Sequence, residues 1–450
     1  MIHTIKNIIR AVAPKGLFRL YHTVLTFFAA WRYGFPSRKL IVVGVTGTNG
    51  KSTTCILIAD LLKAAGKKVG LASSVMFRVG EREWVNTSKM TMLGRSQLQS
   101  LLADMVKDGC THAVIEVSSE GLVQGRLAGI DVDVALFTNL TPEHIESHGG
   151  FEKYKAAKAK LFSTLLSSYR KTLDGHPVPK VIIANTDDEH AGYFLSFGAD
   201  KKVGFGVNTL VNHSLGHQYE IKNIEFSEKG SSFQLDQYRI QTGLEGLFNV
   251  YNSAAAYVTV QELGISIDTL RDSLQSTHGL PGRMEWIEEG QEYRVLVDYA
   301  PEPASLQALY DYLEKVYKGS TGRFIHVLGS AGGGRDLARR PVLGGMAARF
   351  ADIVIVTNED PYDEDPEVIV RQVAEGAIEG GKIEGQNLFV IQDRRQAINT
   401  ACSLAKTGDF VLLTGKGAEQ AIMGHGGSKE AWDERREARL AIKQNTKSSV

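Results

Sequence analysis

The sequence contains few cysteines, no excess of charge of either sign and no long hydrophobic run. Only 3 of its 450 residues are cysteine, and Cys55, Cys110 and Cys402 stand too far apart for a disulfide framework or a metal motif. This usage is typical of a protein from a reducing cytoplasm. Lysine plus arginine and aspartate plus glutamate number 51 each, so no global field favours nucleic acid as a partner.

Acidic residues are absent from the first part of the chain, where Asp60 is the first. The basic residues that precede it among apolar and aromatic ones include Lys6, Arg10, Lys15, Arg19, Arg32, Arg38 and Lys39. The longest apolar stretch there, residues 24–31, is far shorter than the ~20 residues of a membrane-spanning helix, and no secretory cleavage site follows it. Residues 1–38 are therefore predicted to form a basic amphipathic segment. Packing on the body of the protein and peripheral membrane contact through residues 1–36 both fit this pattern.

A glycine-rich turn follows an apolar strand in LIVVGVTGTNGKSTT, residues 40–54. Glycines allow backbone N–H groups to surround a polyphosphate, the lysine supplies a charge, and the serine supplies a hydroxyl for Mg²⁺. The first glycine of the usual motif would fall at Val45, so the loop is a variant. The residues predicted to bind ATP here are Gly47, Thr48, Asn49, Gly50, Lys51, Ser52 and Thr53. The alternative is a turn that only connects a strand to a helix.

Apolar runs alternate with helical patterns through most of the chain, which favours a mostly parallel sheet with helices on both faces. Such runs begin near Val69, Ala113, Val134 and Val181. Short alternating stretches between Asn212 and Thr242 predict an antiparallel addition at a sheet edge. A helix is predicted over residues 249–263.

A second alternating series of strands and helices follows a turn-rich stretch around Gly282. Because the chain is also too long for one ordinary core, two domains are expected. We predict an α/β protein with a P-loop central domain built on a mostly parallel sheet, residues 39–278. A C-terminal Rossmann-like α/β domain, residues 279–450, would follow and end in a surface helix.

Polar groups follow two of the apolar runs. Glu116 ends the run HAVIE, where an ionised carboxylate needs a cation or hydrogen-bond partners. In a P-loop sheet that position points towards Mg²⁺, and the alternative is a carboxylate that caps a helix. His144 and His148, four residues apart in NLTPEHIESH, can reach a metal or a phosphate from one face. A satisfied histidine pair is the other interpretation.

Lys158 falls on the apolar face of the next helical pattern. That face is defined by Phe151, Tyr154, Leu161, Phe162 and Leu165 at helical spacing. A lysine there must extend its ammonium to solvent, be paired or be modified. Extension to solvent is the default interpretation.

Together the motifs GVTGTNGKST, IEVSS, NLTPEHIESH and YKAAKAKLF resemble the ATP domain of the Mur ligases, most of all the UDP-MurNAc-tripeptide synthetase branch. FNVYNSAAA, GRMEW, VDYA, GGGRDLARRP and TGKGAEQ extend the resemblance almost to the C-terminus. It implies a carbamylated Lys158 that binds a second Mg²⁺. The metal ligands it implies are Ser52, Glu116, His144 and Lys158, and the catalytic residues are Lys51, Lys158, His144 and Arg335. Further nucleotide contacts are implied for Asn249, Asn252, Asp298 and Arg335.

The same resemblance assigns substrate contacts. These are predicted for Lys89, Thr91, Arg95, Ser118, Arg126, Glu359, Asp360 and Glu419. The family's branch has histidine at the positions of Glu120 and Pro301, and the diaminopimelate enzymes have arginine at that of Tyr362. Lysine, ornithine and diaminopimelate are all left open as the added amino acid. Because only about forty residues precede the ATP loop, the separate uridine-binding domain of the branch is expected to be missing.

The resemblance implies an ATP-dependent ligase that adds an amino acid to a muramyl-peptide precursor through an acyl phosphate. ATP and Mg²⁺ are the expected cofactors, and a cytoplasmic monomer, with membrane association through the N-terminal segment, is the expected form. A lipid-linked muramyl acceptor is one alternative, which the basic N-terminus favours. Glutamate addition to folate and a nucleotide-binding protein with decayed catalysis are the others.

Overall fold

The computed structural model describes residues 26–142, 148–208, 215–277, 279–317, 319, 322–334 and 337–447. The strands are β1 (Ile41–Thr46), β2 (Val69–Ala72), β3 (Met76–Val79), β4 (Arg82–Val85), β5 (His112–Glu116), β6 (Val134–Phe137), β7 (Thr172–Leu173), β8 (His176–Pro177), β9 (Val181–Asn185), β10 (Lys201–Gly206), β11 (His217–Ser227), β12 (Gly230–Leu235), β13 (Tyr238–Thr242), β14 (Glu285–Trp286), β15 (Arg294–Val297), β16 (Phe324–Leu328), β17 (Ile353–Val356), β18 (Leu388–Val390), β19 (Phe410–Leu413), β20 (Ala421–Met423) and β21 (Lys429–Ala431).

The α-helices span residues 26–32, Lys51–Ala64, Arg95–Lys107, Ser119–Val123, Phe151–Ser163, Ala191–Leu195, Leu247–Glu262, Pro303–Tyr317, Arg339–Phe350, Pro366–Glu379, Arg394–Leu404 and Glu434–Lys447. Short 3₁₀ turns cover Pro36–Lys39, Ile267–Thr269 and His425–Gly427. Among the described residues, none of these helices is both long and apolar enough to cross a bilayer.

The first sheet has the strand order β13-β12-β11-β10-β9-β6-β1-β5-β2-β3-β4. Its seven central strands, from β11 to β2, pair in parallel. The outer strands at both ends pair antiparallel. The predicted parallel sheet and its antiparallel edge addition are therefore confirmed. The central strands read as continuous apolar runs because helices cover both faces.

Three neighbouring strands of this sheet bring the predicted site residues to one edge. Val45 of β1 lies beside Glu116 of β5, and Thr46 lies beside Phe137 of β6. The carboxyl ends of these parallel strands therefore meet, which is where open α/β sheets bind ligands. The helix Lys51–Ala64 starts at this edge and packs on the sheet beside the helix Leu247–Glu262.

The second sheet has the order β14-β15-β19-β16-β17-β18, with β14 antiparallel and the other strands parallel. It has its own apolar cores on its two faces. The predicted C-terminal surface helix is Glu434–Lys447, and it buries Ala438 and Ile442 against this sheet. The first sheet ends with β13 and the second begins with β14, and the predicted boundary between the domains falls in that interval.

A buried carboxylate joins the two parts of the molecule. Glu245, which follows β13, accepts hydrogen bonds from Trp286 Nε1 at 2.9 Å, Tyr312 Oη at 2.6 Å and Tyr317 Oη at 3.2 Å. All three donors belong to the part that carries the second sheet. Burial raises the pKa of Glu245, and the three donors oppose that shift. The two parts are thus linked by a desolvated polar cluster as well as by apolar contacts.

Candidate active site

The loop between β1 and the helix Lys51–Ala64 packs closely against neighbouring residues at two glycines. A Cβ atom on Gly47 would lie 1.9 Å from Thr138 Oγ1, and one on Gly50 would lie 2.2 Å from Asn252 Oδ1. Gly50 also has a φ of +80°, in the left-handed region that favours glycine. The variant loop therefore needs glycine at both positions, although its first motif position is Val45.

Lys51 and Ser52 lie at the start of the helix, as a phosphate-binding loop requires. Lys51 Nζ donates to the carbonyl oxygen of Thr48 at 2.6 Å, so its ammonium lies within the loop. Ser52 Oγ lies 2.8 Å from Ser74 Oγ. The loop thus presents a cation and a hydroxyl at the sheet edge.

Glu116 lies next to this pair with 2 % of its surface exposed. Its Oε2 accepts a hydrogen bond from the backbone nitrogen of Ser74 at 2.7 Å. Ser74 lies in the turn between β2 and β3, so this contact does not cap a helix. Ser74 holds both Ser52 and Glu116, which are hard oxygen donors of the kind that Mg²⁺ prefers. Among the described residues no group of three or more His, Cys, Asp or Glu side chains forms a metal site.

Lys158 lies in the helix Phe151–Ser163 with 2 % exposure. Its Nζ donates to the carbonyl oxygen of Gly47 at 2.6 Å and lies 4.4 Å from the centre of the Tyr154 ring. The default interpretation, that this lysine extends to solvent, is therefore wrong. The helix packs on β1, and the short distance to the ATP loop directs the ammonium inward.

Two predicted residues, His144 and Arg335, lie outside the described ranges. The second histidine of the predicted pair, His148, is described, and its Nε2 lies 3.2 Å from Ser119 Oγ. Its ring lies 5.3 Å from that of Tyr154. Burial lowers the pKa of His148, and the nearby Lys158 lowers it further. A neutral imidazole is therefore favoured beside the loop.

A cavity of about 180 Å³ connects these groups. Residues 48–53, Glu116, Ser118 and Lys158 line it on one side. Lys89 and Thr91 also line it, and Pro301 and Glu419 contribute to it from the part that carries the second sheet. The predicted phosphate residues, the described metal residues and four of the predicted substrate residues thus share one space between the two parts.

A second cavity of about 250 Å³ adjoins the first and shares residues 49–50 with it. Asn249, Asn252 and Asp298, predicted to contact the nucleotide, line it together with apolar side chains. Asp298 accepts hydrogen bonds from the backbone nitrogens of Met284, at 2.8 Å, and Ala300, at 2.9 Å. Burial raises the pKa of Asp298. The mostly apolar lining of this second cavity, with a few polar groups, suits an aromatic base.

Arg283 lines both cavities, but the sequence did not predict it as a site residue. Its guanidinium stacks on the Tyr299 ring, 4.1 Å from the ring centre. A guanidinium between a phosphate loop and a base pocket is well suited to a polyphosphate. Arg283 lies in the GRMEW segment, which could have indicated it but served only as part of the family resemblance.

Comparison with known proteins gives two family matches that cover most of the chain. Residues 45–260 match the Mur ligase middle domain, and residues 282–417 match the Mur ligase, glutamate ligase domain. The chain belongs to the Mur ligase family. The two parts described above are thus the middle and C-terminal domains of a Mur ligase.

This Mur ligase is similar to the UDP-N-acetylmuramyl-tripeptide synthetase of Roseiflexus sp. (strain RS-1), with 38% identity over 422 residues, 92% of this chain and 81% of the relative. A solved UDP-N-acetylmuramoyl-L-alanyl-D-glutamate–2,6-diaminopimelate ligase superposes with a TM-score of 0.58 at 31% identity, covering 90% of this chain and 79% of that one. The fold is also that of Mycobacterium tuberculosis folylpolyglutamate synthase, with a TM-score of 0.69 at 18% identity, covering 88% of this chain and 93% of that one.

Three of the predicted substrate residues of this Mur ligase, Lys89, Asp360 and Glu419, form a cluster of ion pairs with Lys416, which was not predicted. Lys89 Nζ lies 2.8 Å from Asp360 Oδ2 and 3.0 Å from Glu419 Oε2. Lys416 Nζ lies 2.9 Å from Asp360 Oδ1 and 2.7 Å from Glu419 Oε2. Lys89 comes from the middle domain and the other three from the C-terminal domain. The cluster therefore closes the first cavity across the domain interface.

Three of the predicted substrate residues face elsewhere. Arg126 donates to Gln124 Oε1 and to the Met92 carbonyl oxygen, and Arg95 donates to the Gln124 carbonyl oxygen at 3.1 Å. Both arginines therefore bind the loops around them. Glu359 is buried next to the cluster, where burial raises its pKa and Arg339 opposes the shift. The sequence alone does not show whether such a side chain points into the cavity or towards its neighbouring loop.

Proposed function

We propose that this Mur ligase joins an amino acid to a carboxylate of a muramyl-peptide acceptor in peptidoglycan synthesis, with ATP as the energy source. The observation that carries the proposal is the single cavity that contains the ATP loop, Glu116, Lys158 and the C-terminal Glu419. The names of two relatives, a tripeptide synthetase and a diaminopimelate ligase, agree with it.

ATP would lie across both cavities. Its base would occupy the cavity lined by Asn249, Asn252 and Asp298, and its phosphates would bind the loop of residues 47–53. Lys51 would leave the Thr48 carbonyl oxygen and pair with the phosphate that is transferred. Arg283 would bind the phosphate chain between the two sites, and Arg335 is the predicted contact from the C-terminal domain.

The metal ion fits the donors at the same edge of the sheet. Ser52 and Glu116 are the described oxygen ligands, and His144 and a carbamylated Lys158 are the predicted further ones. Magnesium bound there would neutralise charge on the phosphoryl group during transfer. The burial of Lys158 and its contact with the ATP loop support a role for this side chain inside the site.

The proposed reaction forms one amide and consumes one ATP. A carboxylate oxygen of the acceptor takes the terminal phosphoryl group, and ADP leaves. The neutral amine of the amino acid attacks the acyl carbon, the bond from that carbon to the phosphate oxygen breaks, and the nitrogen loses a proton. The C-terminal domain would exclude the water that otherwise hydrolyses the acyl phosphate.

The lipid-linked acceptor is favoured by one specific observation near the start of the described chain. The helix at residues 26–32 exposes Phe27 by 50%, Phe28 by 59% and Trp31 by 67%. Exposed aromatic side chains next to basic residues are typical of a peripheral membrane contact. A cytoplasmic monomer that approaches the membrane through this helix would fit that acceptor.

The test is release of ADP by the purified chain in a screen of muramyl-peptide acceptors crossed with basic amino acids. We expect release only when both substrates are present. Lys51→Met should lower kcat at least about 100-fold, since it removes a preorganised cation from the transition state. Lys63→Met is the matched control, because this lysine lies in the same helix in an exposed pair with Glu81.

Three outcomes would contradict the proposal. ADP release that needs a folate and glutamate would favour the folate alternative. The absence of ADP release with every pair of substrates would favour a binding protein. Equal activity of the Lys51→Met and Lys63→Met variants would remove the ATP loop from the reaction. Anionic and neutral vesicles carrying the lipid-linked acceptor would separate the two acceptor classes.

A further inference from the structure

The ammonium of Lys89 lies in the first cavity, next to the carboxylates of Asp360 and Glu419. Only 7% of its side chain is exposed, and it reaches Asp360 and Glu419 from a loop position with a φ of +57°. Burial lowers the pKa of Lys89, and the carboxylates of Glu419 and Asp360 oppose that shift.

The two lysines of the cluster differ in how firmly they are held. Lys416 is fully buried and also donates to the Ala421 carbonyl oxygen at 2.9 Å within its own domain. Asp360 is fixed as well, since it accepts from the Met423 backbone nitrogen at 2.7 Å. Lys89 alone of the four comes from the other domain, and it lines the first cavity. It is therefore the member that can leave without disturbing the rest.

Charge balance shows what its departure leaves behind. With Lys89 in place, the cluster has two carboxylates and two ammonium groups. When Lys89 leaves, the two carboxylates share the single ammonium of Lys416, and an excess of negative charge in a largely buried site is costly. The remaining set of Asp360, Glu419 and Lys416 is thus complementary to one incoming ammonium group.

We propose that the Lys89 ammonium is displaced by the side-chain ammonium of the incoming amino acid, and that the released Lys89 then binds the anionic acceptor. This proposal rests on the proposed ligase function and deepens it. Amino-acid entry and Lys89 release are one exchange, and only an amino acid with a second ammonium group can complete it. Lys89 and residues 48–53 share the cavity, so the acceptor lies within its reach.

The exchange predicts opposite changes in two Michaelis constants. In Lys89→Met the acidic subsite is empty from the start, so the KM for the basic amino acid should fall about tenfold, as expected when a charged hydrogen bond no longer competes. The KM for the acceptor should rise by a similar factor, because it loses its cation. A lysine that only supports the fold would raise both constants or lower kcat alone. Lys63→Met should change neither.

A binding measurement decides the proposal without catalysis. Calorimetric titration with L-lysine, L-ornithine and meso-diaminopimelate should show tighter binding to Lys89→Met than to the unaltered chain. L-norleucine, which has nearly the shape of lysine but no side-chain ammonium, should show no difference. Glu419→Gln should weaken binding of the basic amino acids to both forms.

The outcomes separate this proposal from the proposed function. If amide forms but Lys89→Met leaves both constants and the titrations unchanged, the exchange is overturned and the ligase function stands. If no substrate pair gives amide, the ligase function fails, and the titrations still decide the exchange. Tighter binding of norleucine to Lys89→Met would show a loss of shape selectivity and also overturn it.

Discussion

At the scale of single residues, Lys158 is a charged side chain in an apolar and buried position. It lies on an apolar helix face, is almost fully buried, and donates to the Gly47 carbonyl oxygen. A buried ammonium is costly unless other groups around it compensate for the lost water. The proposed carbamate would turn this cation into an oxygen ligand.

Replacing Lys158 by alanine should therefore lower kcat at least about 100-fold, because charge stabilisation at the transferring phosphoryl group is lost. Added formate or acetate should restore part of the activity by supplying the missing carboxylate. Lys153→Ala, on the exposed side of the same helix, is the control and should keep full activity. Full activity of Lys158→Arg would argue against a carbamate, since arginine cannot carry one in its place.

At the scale of elements, the two loops that frame the first cavity touch at their backbones. Gly282 has a φ of +60°, and a Cβ atom there would lie 2.0 Å from the Ala418 nitrogen and 2.1 Å from the Gly417 carbonyl carbon. The loop that carries Arg283 and the loop that carries Glu419 are thus positioned by direct backbone contact. If the two loops moved apart, the side chains of Arg283 and Glu419 would both move away from the cavity.

Gly282→Ala should cost the strain of a left-handed alanine, about 1 kcal/mol, and more for the clash with the neighbouring loop. Gly290→Ala provides a matched control, since Gly290 has a φ of +86° with open space around its Cβ position. Urea unfolding should show the larger loss for Gly282→Ala, and only that variant should lose kcat/KM. Equal losses in the two variants would mean that the backbone contact contributes nothing.

At the scale of the whole molecule, Glu245 connects the middle domain to the C-terminal domain. Its carboxylate accepts from Trp286, Tyr312 and Tyr317, while its backbone carbonyl oxygen accepts from Asn249 Nδ2 at 2.8 Å. Asn249 lines the proposed base pocket. The same residue therefore touches both the domain interface and the nucleotide site.

Glu245→Ala should destabilise the docked domains by roughly 2–3 kcal/mol, because two buried tyrosine hydroxyls and the partly buried Trp286 Nε1 lose their acceptor. Limited proteolysis should release one domain earlier than in the unaltered chain, and nucleotide binding should weaken. Glu228→Ala removes an exposed pair with Arg294 across the same interface, at 3.2 Å, and should cost less than about 1 kcal/mol. Similar proteolysis of the two variants would exclude Glu245 as the main link.

The elements were predictable because their signals are local. Buried parallel strands read as apolar runs, so β2, β5, β6 and β9 lie where the runs begin. The glycine-rich loop predicts a phosphate site for the same reason, since its backbone requirement is written in adjacent residues. Side-chain orientation was less predictable, as Arg95 and Arg126 show, because a loop can direct an arginine inward or onto its own backbone.

The sequence by itself determined the fold class, the ATP loop, the resemblance to the Mur ligases and the place of Lys158 on an apolar face. Only the tertiary structure decided that Lys158 donates to the loop, that Arg283 joins two cavities and that Lys89 pairs with Asp360. Lys89 and Asp360 are 271 positions apart, and their contact depends on how two separate sheets approach each other. Periodicity describes the environment of one element, whereas a site between domains depends on the packing of many.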